Sequence, residues 1–216
     1  RPSANKVVLQ SQKDFTKRIG DACAKYDIPF LFELLVYPLA GDAHQTKDYI
    51  EMQGKKSDDV LASVEEFAKP EYGVDVFKLE SPINASDVPG VGNEGAGEVQ
   101  KIFDEMGALA GRPWVMLSAG AGKGDFKNVL SHAYAAGASG YLAGRAIWLD
   151  AFAHFPNWSA IAQDLRTESV PYMKELNELT DAKASAWFDH SVFGNKGAIF
   201  QPDDASFRHV YPGFGD

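Results

Sequence analysis

The chain has 216 residues, 45% of them hydrophobic and 24% charged, which suits one globular unit with a sizeable core. Its formal net charge of −9 argues against a nucleic-acid or anionic-membrane surface, since either needs a basic field, while a local cationic pocket for a small anion stays open. The lone cysteine, Cys23, excludes an intramolecular disulfide and reads as a small core residue, in keeping with a reducing, cytoplasmic setting.

Arg1-Pro2-Ser3-Ala4-Asn5-Lys6 is polar and lacks the apolar core of a signal peptide. It has no initiator methionine and leads straight into structure, so residues are expected upstream of Arg1. Val7-Val8-Leu9 reads as the stub of a strand. From Asp14 to Lys25, Phe15, Ile19, Ala22 and Cys23 recur at helical spacing and form a core-facing stripe. Ile28 to Tyr37 is apolar except for Glu33, the pattern of a strand buried on both faces of a parallel sheet. Gly41 to Gln53 is a polar connection. Ser57, a helix cap by type, opens a helix to Ala68 with Val60, Leu61, Val64 and Phe67 on one face.

Val74 to Leu79 is the next strand, with Lys78 in its middle, and Asn84 to Gly97 is a long Gly- and Pro-rich loop. A helix from Glu98 to Leu109 turns Val99, Ile102, Phe103 and Met106 inward. Trp114 to Ser118 is a strand, Asp125 to Ala136 a helix, and Gly140 to Ala143 a short strand before a helical start at Ile147. Trp158 to Ala184 is helical, interrupted by Pro171, and residues 189–216 form an irregular tail packed on the body. Strand and helix alternate, which implies parallel strands joined by crossover helices. Alternation alone does not separate a closed (β/α)8 barrel from an open doubly wound sheet. No low-complexity block and no membrane-length apolar run interrupts the pattern.

Two glycine patterns fail as nucleotide sites. Gly90 to Gly95 matches G-x-G-x-x-G but stands well away from the preceding strand, where a dinucleotide turn must begin. Gly122-Lys123-Gly124 lacks the hydroxyl residue of a P-loop. Two other turns survive: Ser118-Ala119-Gly120 and Ala143-Gly144-Arg145-Ala146 each leave a strand and enter a helix. Gly120 and Gly144 let backbone N–H groups approach an anion there, with Arg145 as its charged partner and Lys123 as a second. Two tight turns beside a solvated Arg145 would look the same. The histidines His44, His132, His154, His190 and His209 lack ligand spacing, so no metal site is expected, and His132 reads as a surface or packing residue.

Lys78 and Glu33 are the remaining oddities. A lysine amine in apolar surroundings is costly to keep charged, and on a rigid strand it is a nucleophile for carbonyls. An edge-strand lysine facing water is equally compatible with Lys78. Glu33, alone in an apolar strand, needs a partner, and Lys78 on the neighbouring strand supplies one. Together they form a nucleophile with a proton shuttle or a structural ion pair. Glu80, two residues from Lys78, points to the same side and competes with Glu33 for the role.

Asp27-Ile28-Pro29-Phe30 with Phe32-Glu33, Asp75-Val76-Phe77-Lys78-Leu79-Glu80, Leu117-Ser118-Ala119-Gly120, and Ala143-Gly144-Arg145-Ala146 with Trp148 together resemble the class I tagatose-1,6-bisphosphate aldolases. Sulfofructose-phosphate aldolases are matched similarly. The resemblance covers about residues 6 to 188 and implies a TIM-barrel aldolase without cofactor or metal, in which Lys78 forms the Schiff base and Glu33 is the acid/base. It places Ser118, Gly120, Gly144 and Arg145 where the family holds substrate phosphate. The chain departs from the family at Ala121-Gly122-Lys123-Gly124, which is richer in glycine and adds a cation. It begins near the family's fourth strand, so strands four to eight of the barrel are expected over residues 1–188, with 189–216 as the tail. A phosphorylated or sulfonated sugar is the implied partner, and a homo-oligomer is compatible with it. The rival class is a phosphosugar-binding barrel that does no chemistry.

Overall fold

The computed structural model describes residues 5–37, 57–196 and 206. The polar connection from Gly41 to Gln53 and most of the tail beyond residue 196 lie outside the described residues. Helix α1 spans Lys6–Tyr26 and is followed by strand β1, Leu31–Leu34; helix α2 is Ser57–Phe67 and strand β2 is Val76–Leu79. Helix α3, Ala96–Ala110, leads to β3, Trp114–Leu117, then α4, Lys123–Ala135, and β4, Gly140–Leu142. Short helix α5, Arg145–Trp148, precedes α6, Trp158–Asp164, and α7, Val170–Lys183.

Among the described residues the sheet has four parallel strands in the order β1-β2-β3-β4. A parallel crossover is right-handed, so strands laid down in one direction put every connecting helix on the same face. Helices α2, α3 and α4 pack side by side there. A doubly wound sheet would reverse its strand order at a switch point, and this one does not. Beneath the helices lie Phe77, Leu79, Trp114 and Met116, all buried, with Val60, Leu61, Val64 and Phe67 of α2 and Phe103 and Met106 of α3 against them. The opposite face carries the alternate positions, Leu31, Glu33, Val76, Lys78, Val115 and Leu117, by the period of two along each strand.

Three expectations need correction. Val7-Val8-Leu9 is the first turn of α1 and not a strand, because Asn5 caps it by accepting the Val7 N–H at 2.9 Å. The inward stripe of α1 holds at Ile19 and Cys23, which pack against the core, but not at Phe15. Phe15 is 56% exposed with the Arg18 guanidinium over its ring, while Thr16 and Gly20 are buried. The cause is backbone approach: a Cβ on Gly20 would sit 1.9 Å from the Tyr72 carbonyl oxygen. Finally, Ile28 to Tyr37 is not buried on both sides, since β1 keeps four residues and Leu31 is 47% exposed. It is an edge of the described sheet, and among the described residues helices cover one face only. The Pro171 interruption is real and takes the form of a π-helical stretch, Leu165–Ser169, that joins α6 to α7. Widening there relieves the clash between a proline ring and the carbonyl four residues back. The start of the tail forms short turns at Trp187–Asp189 and Ser191–Lys196, and the Ser185 N–H donates to the Ala138 carbonyl at 3.0 Å.

Beside the Gly20 contact, α1 is tied down by Glu66 near the end of α2. Its carboxylate accepts from Lys13 at 2.8 Å, Lys69 at 2.6 Å and the Tyr72 hydroxyl at 2.7 Å. Burial disfavours the charge, but these three donors outweigh it and hold the Glu66 carboxyl down to about 2. Its stabilising effect is therefore full above the ordinary carboxyl value of 4.5 and is lost as pH falls toward 2. Urea melts of wild type and Glu66→Gln should differ most above pH 4.5 and converge near pH 2. Gly20→Ala should cost about 1–3 kcal/mol through the clash with Tyr72, read as a lower urea midpoint.

Candidate active site

The register of β1 and β2 sets Glu33 directly opposite Lys78. Lys78 Nζ lies 2.7 Å from Glu33 Oε2, on the sheet face without helices, with the lysine side chain 19% and the glutamate 40% exposed. Two carboxylates of the second strand's flanks hold that register. Asp75, just before β2, accepts the Phe30 N–H at 2.8 Å, and Glu80, just after it, accepts the Val36 N–H. Glu80 is thus buried and engaged with backbone beyond β1, and the carboxylate that meets Lys78 is Glu33. At this distance Glu33 can take a proton from the amine and return it to an oxygen formed on the same carbon.

Beyond this pair, toward the C-terminal ends of the strands, lie the two glycine turns. Val115 is level with Lys78, so Ser118 stands three residues further on, about 10 Å along the strand at the usual rise. Ser118 is buried, its N–H donates to the Leu142 carbonyl at 3.3 Å, and its own carbonyl accepts from Ala121 at 2.8 Å. Ala119 and Gly120 follow with φ of 49° and 83°. A left-handed alanine is uncommon, and such strain gathers at ligand-facing turns. Gly144 precedes α5 and accepts the Ile147 N–H at 2.8 Å, while a Cβ on it would come within 3.5 Å of Trp148 Nε1. Arg145 opens α5 directly after it.

Lys123 joins the two turns from the side. Its Nζ is 3.7 Å from Asp150 Oδ2, in the segment after α5, and 5.7 Å from the centre of the Tyr172 ring. The Tyr172 hydroxyl donates to the Lys123 carbonyl at 2.8 Å, and burial keeps that hydroxyl well above its ordinary pKa, hence a neutral donor. The structure therefore brings Lys78 to Glu33 and Lys123 to the segment after β4, and it sets Ser118, Gly120, Gly144 and Arg145 along the same strand ends. Gly90 to Gly95 lies in the loop before α3, away from the end of β2, as a failed dinucleotide motif should. Among the described residues no group of three or more His, Cys, Asp or Glu side chains is placed to hold a metal ion, and no helix is long and apolar enough to cross a membrane. The buried ring of His132 is the packing alternative of the sequence reading, while the left-handed Ala119 was missed, because nothing in an alanine signals it.

Polar groups gathered at the C-terminal edge of a singly wound parallel sheet are the arrangement of α/β enzymes. Comparison with known families makes this particular: residues 8–150 match the DeoC/LacD family aldolase model, and the chain belongs to that family. It is 31% identical over 192 residues to tagatose 1,6-diphosphate aldolase 1 of Enterococcus faecalis, covering 86% of this chain and 58% of that protein. It is 33% identical over 182 residues to tagatose 1,6-diphosphate aldolase of Listeria monocytogenes serotype 4b, covering 81% of this chain and 53% of the relative. A third relative, tagatose 1,6-diphosphate aldolase 1 of Streptococcus mutans, is 31% identical over 188 residues, 83% of this chain and 57% of its own. The chain thus spans somewhat over half the length of these curated relatives.

If Glu80 holds the end of β1, Glu80→Ala strands the Val36 N–H. The expected loss is about 1–3 kcal/mol in urea unfolding. Glu80→Gln, which keeps an acceptor oxygen, should lose less than half as much.

Proposed function

We propose that this chain carries the Schiff-base half of a class I aldolase acting on a phosphorylated ketose such as tagatose 1,6-bisphosphate. The observation that carries the reading is the 2.7 Å approach of Glu33 to Lys78 across paired strands. We further infer that the four-stranded arc belongs to a (β/α)8 barrel: its strand order, one-sided helices and uncovered lysine-bearing face are those of such a barrel's wall and interior.

In this mechanism Glu33 accepts a proton from Lys78, and the neutral amine attacks the ketose carbonyl carbon. The protonated Glu33 returns its proton to the resulting hydroxyl, water leaves, and a protonated iminium remains. A base removes the proton of the C4 hydroxyl, the C3–C4 bond breaks, and its electron pair passes into the iminium to give an enamine and a free aldehyde. Protonation at C3 and hydrolysis release dihydroxyacetone phosphate and regenerate Lys78. The iminium is the electron sink, so the cycle needs no cofactor or metal. Gly120 and Gly144 hold the phosphate through backbone N–H groups, Ser118 through its hydroxyl and Arg145 through its guanidinium. The offset of Ser118 from the level of Lys78, about 10 Å along the strand, suits a lysine arm plus a short phosphorylated chain. Lys123 adds a cation beside these turns, which also suits a sulfonate such as that of 6-deoxy-6-sulfofructose 1-phosphate.

Borohydride reduction with dihydroxyacetone phosphate should attach one three-carbon adduct, and peptide mapping should find it on Lys78. Lys78→Met should abolish both adduct and cleavage, and Glu33→Gln should lower kcat by about 10²–10⁴. Cleavage of tagatose 1,6-bisphosphate against the sulfonated ketose, measured side by side, identifies the substrate. Ligand-dependent melting without any adduct would replace the aldolase reading with a phosphosugar-binding barrel.

A further inference from the structure

The loop that leaves the Lys78 strand is anchored in the core by Ala85 and Val88 but has little regular structure. From residue 81 to residue 95 its regular structure is one short turn, Ala85–Asp87. Among the described residues its backbone bonds include three short-range ones: Asp87 N–H to Asn84, Val88 N–H to Ala85 and Asn93 N–H to Gly90. Two buried side-chain oxygens without a hydrogen-bond partner among the described residues, Ser81 Oγ and Asn84 Oδ1, lie in this segment. Unsatisfied buried groups are rare in native folds and gather where a conformation is strained.

Two side chains of α4 reach across to the loop. Asn128 Nδ2 donates to the Val88 carbonyl at 3.3 Å, and His132 Nε2 lies 2.9 Å from the Pro89 carbonyl. A carbonyl and an amide oxygen both only accept, so the Pro89 contact and the Gln100 contact at Nδ1 each take an N–H of the ring. The His132 ring is buried and stacked on Phe103 of α3 at 5.7 Å between centres. Its Nδ1 is 2.7 Å from the Gln100 side-chain oxygen, and Gln100 is oriented in turn by donating to Asp104 at 2.7 Å and to the His132 carbonyl at 3.1 Å. Such a ring has one orientation. Helix α4 also starts at Lys123, immediately after the Gly120 turn, so one rigid element contacts both the anion turn and the loop beyond Lys78.

We propose that His132, seconded by Asn128, is a positioning residue that clamps the loop after the Lys78 strand onto α4 and so keeps the lysine's surroundings in register with the anion turns. The proposal rests on the aldolase reading of Lys78, and its test separates the two. His132→Phe keeps the stacking ring and removes both polar contacts; His132→Gln restores an amide donor toward Pro89; Asn128→Ala weakens the second tie at a less buried position. Amide hydrogen exchange over residues 85–95 and the rate of borohydride-trapped Lys78 labelling by dihydroxyacetone phosphate are measured on each full chain.

The expected result is at least tenfold faster loop exchange in His132→Phe, a smaller increase in Asn128→Ala, and recovery to within about threefold in His132→Gln. Labelling should slow by about tenfold in His132→Phe with half-saturation changed less than twofold, because the anion turns are intact. Loop exchange in both His132→Phe and Asn128→Ala equal to wild type overturns the proposal, as does a His132→Gln as impaired as His132→Phe. If wild type takes no label at all, the aldolase reading fails and the catalytic consequence of the clamp fails with it, while loop exchange still decides whether the clamp exists.

Discussion

Asp75 and Glu80 bracket the strand that carries Lys78, and each carboxylate takes a backbone N–H from the neighbouring segment, Phe30 on one side and Val36 on the other. A parallel pair only four residues long has few ladder bonds with which to choose its register. A one-residue slip would carry every side chain to the opposite face. Side-chain acceptors at both ends remove that freedom, and the juxtaposition of Glu33 and Lys78 follows from it. The residues that make this site possible are therefore partly ones that do not face it.

The same sheet explains why a lysine and a glutamate tolerate these strands. Monotonic strand order puts α2, α3 and α4 on one face and leaves the other to Leu31, Glu33, Val76, Lys78, Val115 and Leu117. Only the helix-covered face has the close apolar packing that would make a charge prohibitive. The uncovered face holds an ion pair among aliphatic neighbours, where a mutual partner is at hand and solvent is near. Downstream, glycine and left-handed alanine shape the turns at the strand ends, and Lys123 with Asp150 ties the segments after β3 and β4 together.

Helix α4 unites these parts. Its first residue stands just after the Gly120 turn, Phe126, Val129 and Leu130 enter the core, and His132 and Asn128 hold the loop that follows β2. A helix buried along one face cannot rotate without disturbing all three, so the site inherits its rigidity from core packing.

Much of this was legible in the residues. The alternation of strands and helices, the apolar faces of α2 and α3, the pairing of Glu33 with Lys78 and the two glycine turns all follow from periodicity and from the cost of isolated charge, which are local properties. The family resemblance added the roles. What the residues could not disclose depended on which surfaces meet. Val7-Val8-Leu9 has strand-forming side chains, and only the Asn5 cap and the docking of α1 decide for helix. Phe15 and Thr16 exchange places because Gly20 lies against Tyr72, a residue fifty-two positions away in the chain. Glu80 could have faced Lys78 by spacing alone, yet the Val36 N–H claims it. His132 looked inert until α3 and the Pro89 loop closed around it. Apart from the first turn of α1, sequence determined which segments become strands and helices and which carry Lys78 and Glu33, since those rest on each residue's own chemistry. Tertiary structure decided register, facing and burial, since these depend on partners that lie far off along the chain.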